Sequence, residues 1–174
     1  MLLIYFLSLE SIPQRNQTLA TIPVQKKSWK VSLSLFVFDG QPSHTWSQIF
    51  HCTVVGKKEK NDKDGSRTPA LFLKNDYIGF RFLSNNQFNS GYDYPLVGTN
   101  KLYKLQILQH HYKDGEYKIR ILVNNKEMFT TINKKPKIFS NVNCMLYGDS
   151  NNYLLPRASV SDFRYTSDLK LYGE

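Results

Sequence analysis

The chain has 174 residues, a length that fits one domain with a hydrophobic core of its own. Hydrophobic residues make up 41%, which excludes a chain disordered by composition, and two cysteines are too few for a disulfide scaffold or a zinc site. The formal charge of +9 points to anionic partners or to a lysine-solubilised β protein, while the aromatic, glycine and basic motif of a sheet that reads nucleic acid does not occur.

The apolar opening Met1 to Leu9 is too short to span a bilayer and has no Lys or Arg before it. A truncated signal peptide and a first strand both fit, so residues 1–18 are set apart from a domain running over 19–174. Asn16 heads an Asn-Gln-Thr sequon, a candidate N-glycosylation site that agrees with secretion. From Trp29 the strand period of two dominates: Trp29, Val31, Leu33, Leu35 and Val37 share one apolar face. Asp39 to Ser43 reads as a turn, and Ile49 to Val55 as the next strand, ended by Gly56. The charged stretch Lys57 to Arg67 reads as an exposed loop. Ala70–Leu73 and Tyr77–Leu83 form an expected hairpin across Asn75-Asp76. Ser84 to Tyr94, polar and rich in Asn, reads as a second loop.

Leu102 to Gln109 resumes the strand pattern, and Asp114-Gly115 is a strong hairpin signal into Tyr117, Ile119, Ile121 and Val123. Asn124-Asn125 is a further turn, followed by strands over Glu127–Ile132, Val142–Tyr147 and Ala158–Tyr165. Many short strands, regular turns and no helical stripe predict an all-β, two-sheet antiparallel β-sandwich.

Several of these residues carry a family likeness. Gln109 closes a strand before the Asp114-Gly115 turn, and a strand led by Tyr117 ends in Val123-Asn124-Asn125. Asn133, Pro136, Phe139, Asn141, Val142, Tyr147 and Asp149 then follow in order. This succession resembles invertebrate concanavalin A-like lectin/glucanase domains, related to the laminin-G and pentraxin type. Upstream, Leu19 to Pro23, Ile49-Phe50-His51 with Thr53, and Arg67-Pro69-Ala70 extend the likeness over Leu19 to Tyr165. The resemblance implies a jelly-roll sandwich and an extracellular, secreted setting. Calcium is the cofactor it raises, with Asp62, Asp64 and Asp149 as candidate oxygen ligands. The fold also hosts hydrolases and adhesion modules, so the ligand follows only weakly.

A glycosidase needs two carboxylates flanking the scissile bond. The close acidic pairs, Asp62 with Asp64 and Asp114 with Glu116, lie in a lysine-rich loop and at a hairpin turn, so a non-catalytic binding module is expected. A sugar site needs an aromatic platform with amides and carboxylates for the hydroxyls, as small-ligand sites generally need apolar walls with a few placed polar groups. Two stretches offer that chemistry: Asn89 to Tyr94, with Tyr92, Asp93 and Tyr94 as candidate ligand residues, and Asp149 to Tyr153, with Asp149, Asn151, Asn152 and Tyr153. The competing reading makes these ordinary turns whose rings cap the core. Cys52 and Cys144 both fall mid-strand, where a bridge and two buried thiols are alternatives. The expected partners are a glycan or glycosylated matrix protein, or an acidic protein or anionic polysaccharide on a basic face, with no nucleic acid and no transmembrane span.

Overall fold

Two-residue turns set much of the strand pairing. Asp114 with Gly115, and Asn124 with Asn125, take positive φ, and so do Asn85 and Asn86. Consecutive left-handed residues give the hairpin turn whose twist matches that of the flanking strands, and Asn, Asp and Gly tolerate it best.

A computed structural model of the chain describes residues 4–7, 17–40, 46–56, 65–146 and 156–167. Its strands are β1 Ile4–Leu7, β2 Gln17–Gln25, β3 Trp29–Val37, β4 Ser47–Val54, β5 Ala70–Lys74, β6 Tyr77–Ser84, β7 Gln87–Pro95, β8 Lys101–Lys113, β9 Glu116–Val123, β10 Lys126–Asn133, β11 Phe139–Leu146 and β12 Ala158–Ser167. They form two six-stranded sheets. The first has the order β1-β12-β3-β8-β9-β10, the second β2-β11-β4-β5-β6-β7. Every pairing is antiparallel. No helix occurs among the described residues, and none is therefore long and apolar enough to cross a membrane. The fold is an all-β antiparallel sandwich of the concanavalin A-like type.

The inner faces carry the apolar half of each alternation. Val31, Leu33 and Leu35 from β3, Leu105 and Ile107 from β8, and Ile119 and Ile121 from β9 are buried in the first sheet. Phe50, Leu71, Leu73, Ile78 and Phe80 are their counterparts in the second. Phe50 meets Phe163 of β12 edge to face across the sandwich, ring centres 5.7 Å apart, a favoured aromatic geometry. Cys52 and Cys144 lie directly opposite each other on β4 and β11 and are joined by a disulfide.

The reading of Ser84 to Tyr94 as a loop is corrected. Asn85 and Asn86 make the turn, and Gln87–Pro95 is an edge strand paired to β6. Its faces alternate between exposed and half-buried. Only one face of it meets the core, so its sequence shows no strong apolar period, and the Asn-Asn signal falls immediately before the strand begins. The segment Ile4–Leu7 is a strand at the edge of the first sheet, against β12.

Candidate functional site

The outer face of the second sheet is built from the positions that alternate with its core residues. Register places Phe72, Gly79 and Asp93 side by side on β5, β6 and β7, and Ala70, Arg81 and Gly91 in the next row. Two glycines thus stand inside adjacent strands, where a glycine commonly marks a close approach. Both are occupied from above. A Cβ on Gly79 would stand 2.7 Å from Cζ3 of Trp46, the residue preceding β4. A Cβ on Gly91 would stand 2.2 Å from the carbonyl oxygen of Phe80 and 2.8 Å from Cδ of Arg81. The missing side chains therefore leave the space in which an indole and an arginine lie against the sheet.

Arg81 is fixed on three sides. Its Nη1 donates to Oδ1 of Asp93 at 2.6 Å and to the carbonyl of Phe80 at 2.8 Å, and its guanidinium lies 5.3 Å from the centre of the Trp46 ring. Its Nε and Nη2 make no hydrogen bond among the described residues. Arg67 forms the facing wall. Its guanidinium stands 5.3 Å from the centre of the Phe72 ring and donates to the side-chain oxygen of Asn89. Trp46 and Phe72 meet edge to face at 6.4 Å, and Lys74 Nζ stands 5.7 Å from the indole centre. Arginine over an aromatic face is held by the ring quadrupole as well as by its hydrogen bonds.

The backbone behind Arg67 is equally constrained. Val54 N–H donates to Gly65 O, Thr68 N–H to Cys52 O, and Cys52 N–H to Pro69 O, at 2.7 to 2.9 Å. Thr53 Oγ1 adds a bond to Ser66 O at 2.9 Å, and Gln25 Nε2 one to Thr68 Oγ1 at 2.6 Å. The result is a solvent-facing hollow of about 150 Å³ lined by Trp46, Arg67, Phe72, Arg81 and Asn89. It offers an apolar wall, two guanidinium groups and an amide, the mixture that a small polar ligand requires.

The structure separates the residues singled out from the sequence. Asp93 faces outward and anchors Arg81. Tyr92 and Tyr94 lean the other way, toward the sandwich. Tyr92 stacks on Phe129 of β10 at 5.2 Å, and Tyr94 meets Tyr103 edge to face at 6.4 Å. Those rings close the open edge between the two sheets. Asp149, Asn151, Asn152 and Tyr153, the calcium candidates Asp62 and Asp64, and Asn16 lie outside the described residues. No cluster of three or more metal-ligating side chains occurs among the described residues. His51 is buried on the outer side of β4, with Nδ1 2.7 Å from Nε2 of Gln48, and His110 is buried with Nδ1 2.9 Å from the carbonyl of His111. Sequence reasoning missed Trp46, Arg67, Phe72 and Arg81 as site residues, while Asn89 heads one of the two stretches it singled out. The signal available for them was the pair of strand-interior glycines.

With the sandwich and this hollow in view, comparison with known proteins bears on the fold. No protein-family profile matches the chain, and no curated protein matches it by sequence. Solved structures do match. The receptor binding domain of botulinum neurotoxin D is similar at a TM-score of 0.60 and 12% identity, over 97% of this chain and 39% of that one. The botulinum neurotoxin serotype G binding domain gives 0.55 and 12%, over 86% and 35%. The binding domain of botulinum neurotoxin DC in complex with SialylT gives 0.54 and 13%, over 82% and 33%. The chain thus spans well under half the length of these neighbours. At such identity the likeness is one of fold, and the ordered motifs of the sequence are expressed in the sandwich rather than in a recognised sequence family.

Proposed function

We propose that the domain is a non-catalytic recognition module that binds a glycan through the outer face of its second sheet. The observation that carries this reading is the hollow in which Trp46 and Phe72 supply apolar walls, and Arg67, Arg81 and Asn89 supply fixed polar groups. An aromatic face suits the C–H face of a sugar ring, and the rigid donors suit its oxygens. Among the described residues Asp93 is the acidic side chain in this outer-face cluster, and it pairs with Arg81 rather than with the second carboxylate that glycoside hydrolysis requires. The disulfide between Cys52 and Cys144 fits an oxidising, extracellular compartment. The receptor-binding names of the structural neighbours, one of them in complex with SialylT, agree with the reading. On a glycan array, Trp46→Ala is expected to weaken binding about tenfold or more, as truncating a central aromatic anchor commonly does. Glycan binding unchanged by Trp46→Ala removes the site assignment.

A second reading rests on the opposite face. Register puts Lys30, Lys104, Lys118, Arg120 and Arg164 on the outer side of the first sheet. Partial burial, then the neighbouring Arg164 charge, hold Lys30 below its ordinary range. Such a face suits an acidic protein or an anionic polysaccharide. Heparin binding that falls steeply with salt, and persists in Trp46→Ala, favours this reading over the first.

A further inference from the structure

We infer that the open side of the sandwich, between the edge strands β7 and β10, holds a second binding site, a cavity that takes one uncharged sugar unit. This site is separate from the outer-face hollow and does not depend on it.

The cavity follows from the side chains that face inward along the two edge strands. Tyr92 on β7 and Phe129 on β10 stack and close the gap between the sheets. Two residues nearer the β6–β7 turn, the half-buried positions hold Ser90 and Thr131 instead. Two short hydroxyl side chains do not span a gap that two rings close. A cavity of about 310 Å³ remains there, with Phe82 and Phe129 as aromatic walls and Ser84, Gln87, Ser90 and Thr131 as polar ones. That volume falls at the lower end of the range of about 300–1,000 Å³ common for small-ligand sites. The strands bend around it. The pairing of β6 with β7 shifts register between Phe82 and Ser84, and that of β10 with β9 between Glu127 and Phe129. Bulges at sheet edges re-aim side chains and recur beside active sites. The rim is fixed as well. Asn85 donates its backbone N–H to Asn133 Oδ1 at 3.0 Å and its Nδ2 to Ile132 O at 3.1 Å, and its Oδ1 accepts from Lys134 N–H at 2.7 Å. These bonds clamp the β6–β7 turn to the end of β10, so the cavity is formed before any ligand arrives.

The chemistry of the lining sets the ligand class. Ser84 is only 4% exposed, yet its hydroxyl makes no hydrogen bond among the described residues, and neither do the Thr131 hydroxyl and the Gln87 side-chain amide. Buried polar groups ordinarily find a partner. Hydroxyls and amides both donate and accept, as the hydroxyls of a sugar do, and the phenylalanine walls suit the C–H face of its ring. No charged side chain lines the cavity among the described residues, so a carboxylate or an ammonium placed there would give up hydration without gaining an ion partner.

The test is an NMR titration of the isotope-labelled full chain with the methyl glycosides of glucose, galactose, mannose and N-acetylglucosamine, and with glucuronate. The same titration is run on Ser90→Phe, Thr131→Val and Gln87→Ala, each checked for folding by circular dichroism. At least one neutral glycoside is expected to shift the backbone amides of Ser84, Ser90 and Thr131 and the Gln87 side-chain amide saturably, and glucuronate is expected not to. Ser90→Phe fills the cavity and should abolish those shifts, while Thr131→Val and Gln87→Ala should each weaken binding severalfold, as losing one hydrogen bond does. Gln87→Ala alters an exposed side chain, so it tests the site even where Ser90→Phe fails to fold. The proposal is overturned if no glycoside shifts the cavity amides, or if the shifts persist unchanged in folded Ser90→Phe or in Gln87→Ala. Glucuronate binding as tightly as the neutral glycosides overturns the ligand class. Shifts confined to the Trp46 indole N–H and Asn89 overturn this second site and leave the outer-face reading standing.

Discussion

Single side chains of the first sheet show how differently buried polar groups behave. Gln109 and Asn133, both buried, sit in a complete amide network. Asn133 Nδ2 donates to Gln109 Oε1 at 2.8 Å, Gln109 Nε2 donates to Lys27 O at 2.6 Å, and Asn133 Oδ1 accepts from the N–H groups of Asn85 and Lys135 at 3.0 and 3.1 Å. The network ties β8 and β10 to the start of β3 and to the β6–β7 turn, so these two members of the sequence likeness hold structure rather than ligand. Tyr165 is the contrast. It is fully buried, and its hydroxyl has no hydrogen-bond partner among the described residues. A buried hydroxyl left unpaired costs about 1–3 kcal/mol. Tyr165→Phe is therefore expected to stabilise the fold by about 1 kcal/mol in urea unfolding at neutral pH. Burial also drives the Tyr165 phenol well above its ordinary range, and burial raises Tyr103 in the same direction. The unfolded chain ionises these phenols near pH 10, whereas the folded chain keeps them neutral. Their contribution is thus fully present below about pH 10 and is lost as pH rises beyond it. Tm measured from pH 7 to 11 should fall above pH 10, and less steeply for Tyr165→Phe; equal slopes would sink the assignment.

At the scale of the element, β6 and β7 carry the site because each gives up a side chain. Gly79 and Gly91 weaken the strands, since glycine loses more chain entropy and packs nothing. The gain is the space for Trp46 and Arg81. Gly79→Ala should push the indole off the sheet, because the methyl would stand 2.7 Å from Cζ3 and 3.0 Å from Cη2. Trp46 fluorescence should then shift toward that of an exposed indole, and glycan binding should fall at least severalfold with little change in Tm. An unchanged emission maximum would show that the contact does not position the ring. Much of the sandwich was legible in sequence: the alternation from Trp29 to Val37 and the Asp114-Gly115 and Asn124-Asn125 turns report local geometry, and local geometry is what sequence period encodes. The β7 strand was not legible, because an edge strand with one half-buried face carries Asn, Ser and Gly where a central strand carries Val or Ile. The site was less legible still. Trp46 and Arg67 precede β4 and β5, Phe72, Arg81 and Asn89 lie on β5, β6 and β7, and only the pairing of β4 through β7 brings them together. The tyrosines at 92 and 94 attracted attention as a platform, but alternation along β7 turns them toward the sandwich and leaves Asp93 outside.

Across the whole molecule, the sheets are assembled from strands far apart in sequence. β3 lies between β12 and β8, β11 lies between β2 and β4, and each of these four pairings joins strands at least five apart in chain order. Such pairing must close long loops before any contact rewards it. The Cys52–Cys144 bond acts on that cost. It spans 92 residues and encloses β5 through β10, so every lining residue of the hollow except Trp46 lies within the closed loop. In the chain-entropy view, a loop of that length stabilises by about 4.6 kcal/mol, acting mainly on the unfolded chain. Because Cys52 and Cys144 already face each other in the β4–β11 ladder, the folded sheet needs no rearrangement when the bond opens. Reduction should therefore leave the far-ultraviolet spectrum unchanged at low temperature while lowering Tm by roughly 9–18 °C, at about 2–4 °C per kcal/mol for a chain of this size. The reduced protein should keep its glycan preference below the new transition and lose it together with the fold above it. A variant with Cys52→Ala and Cys144→Ala should melt near the reduced protein and ignore the reductant. A Tm that does not respond to reduction would mean that the six enclosed strands fold against an unfolded state already as restricted as the bond would make it.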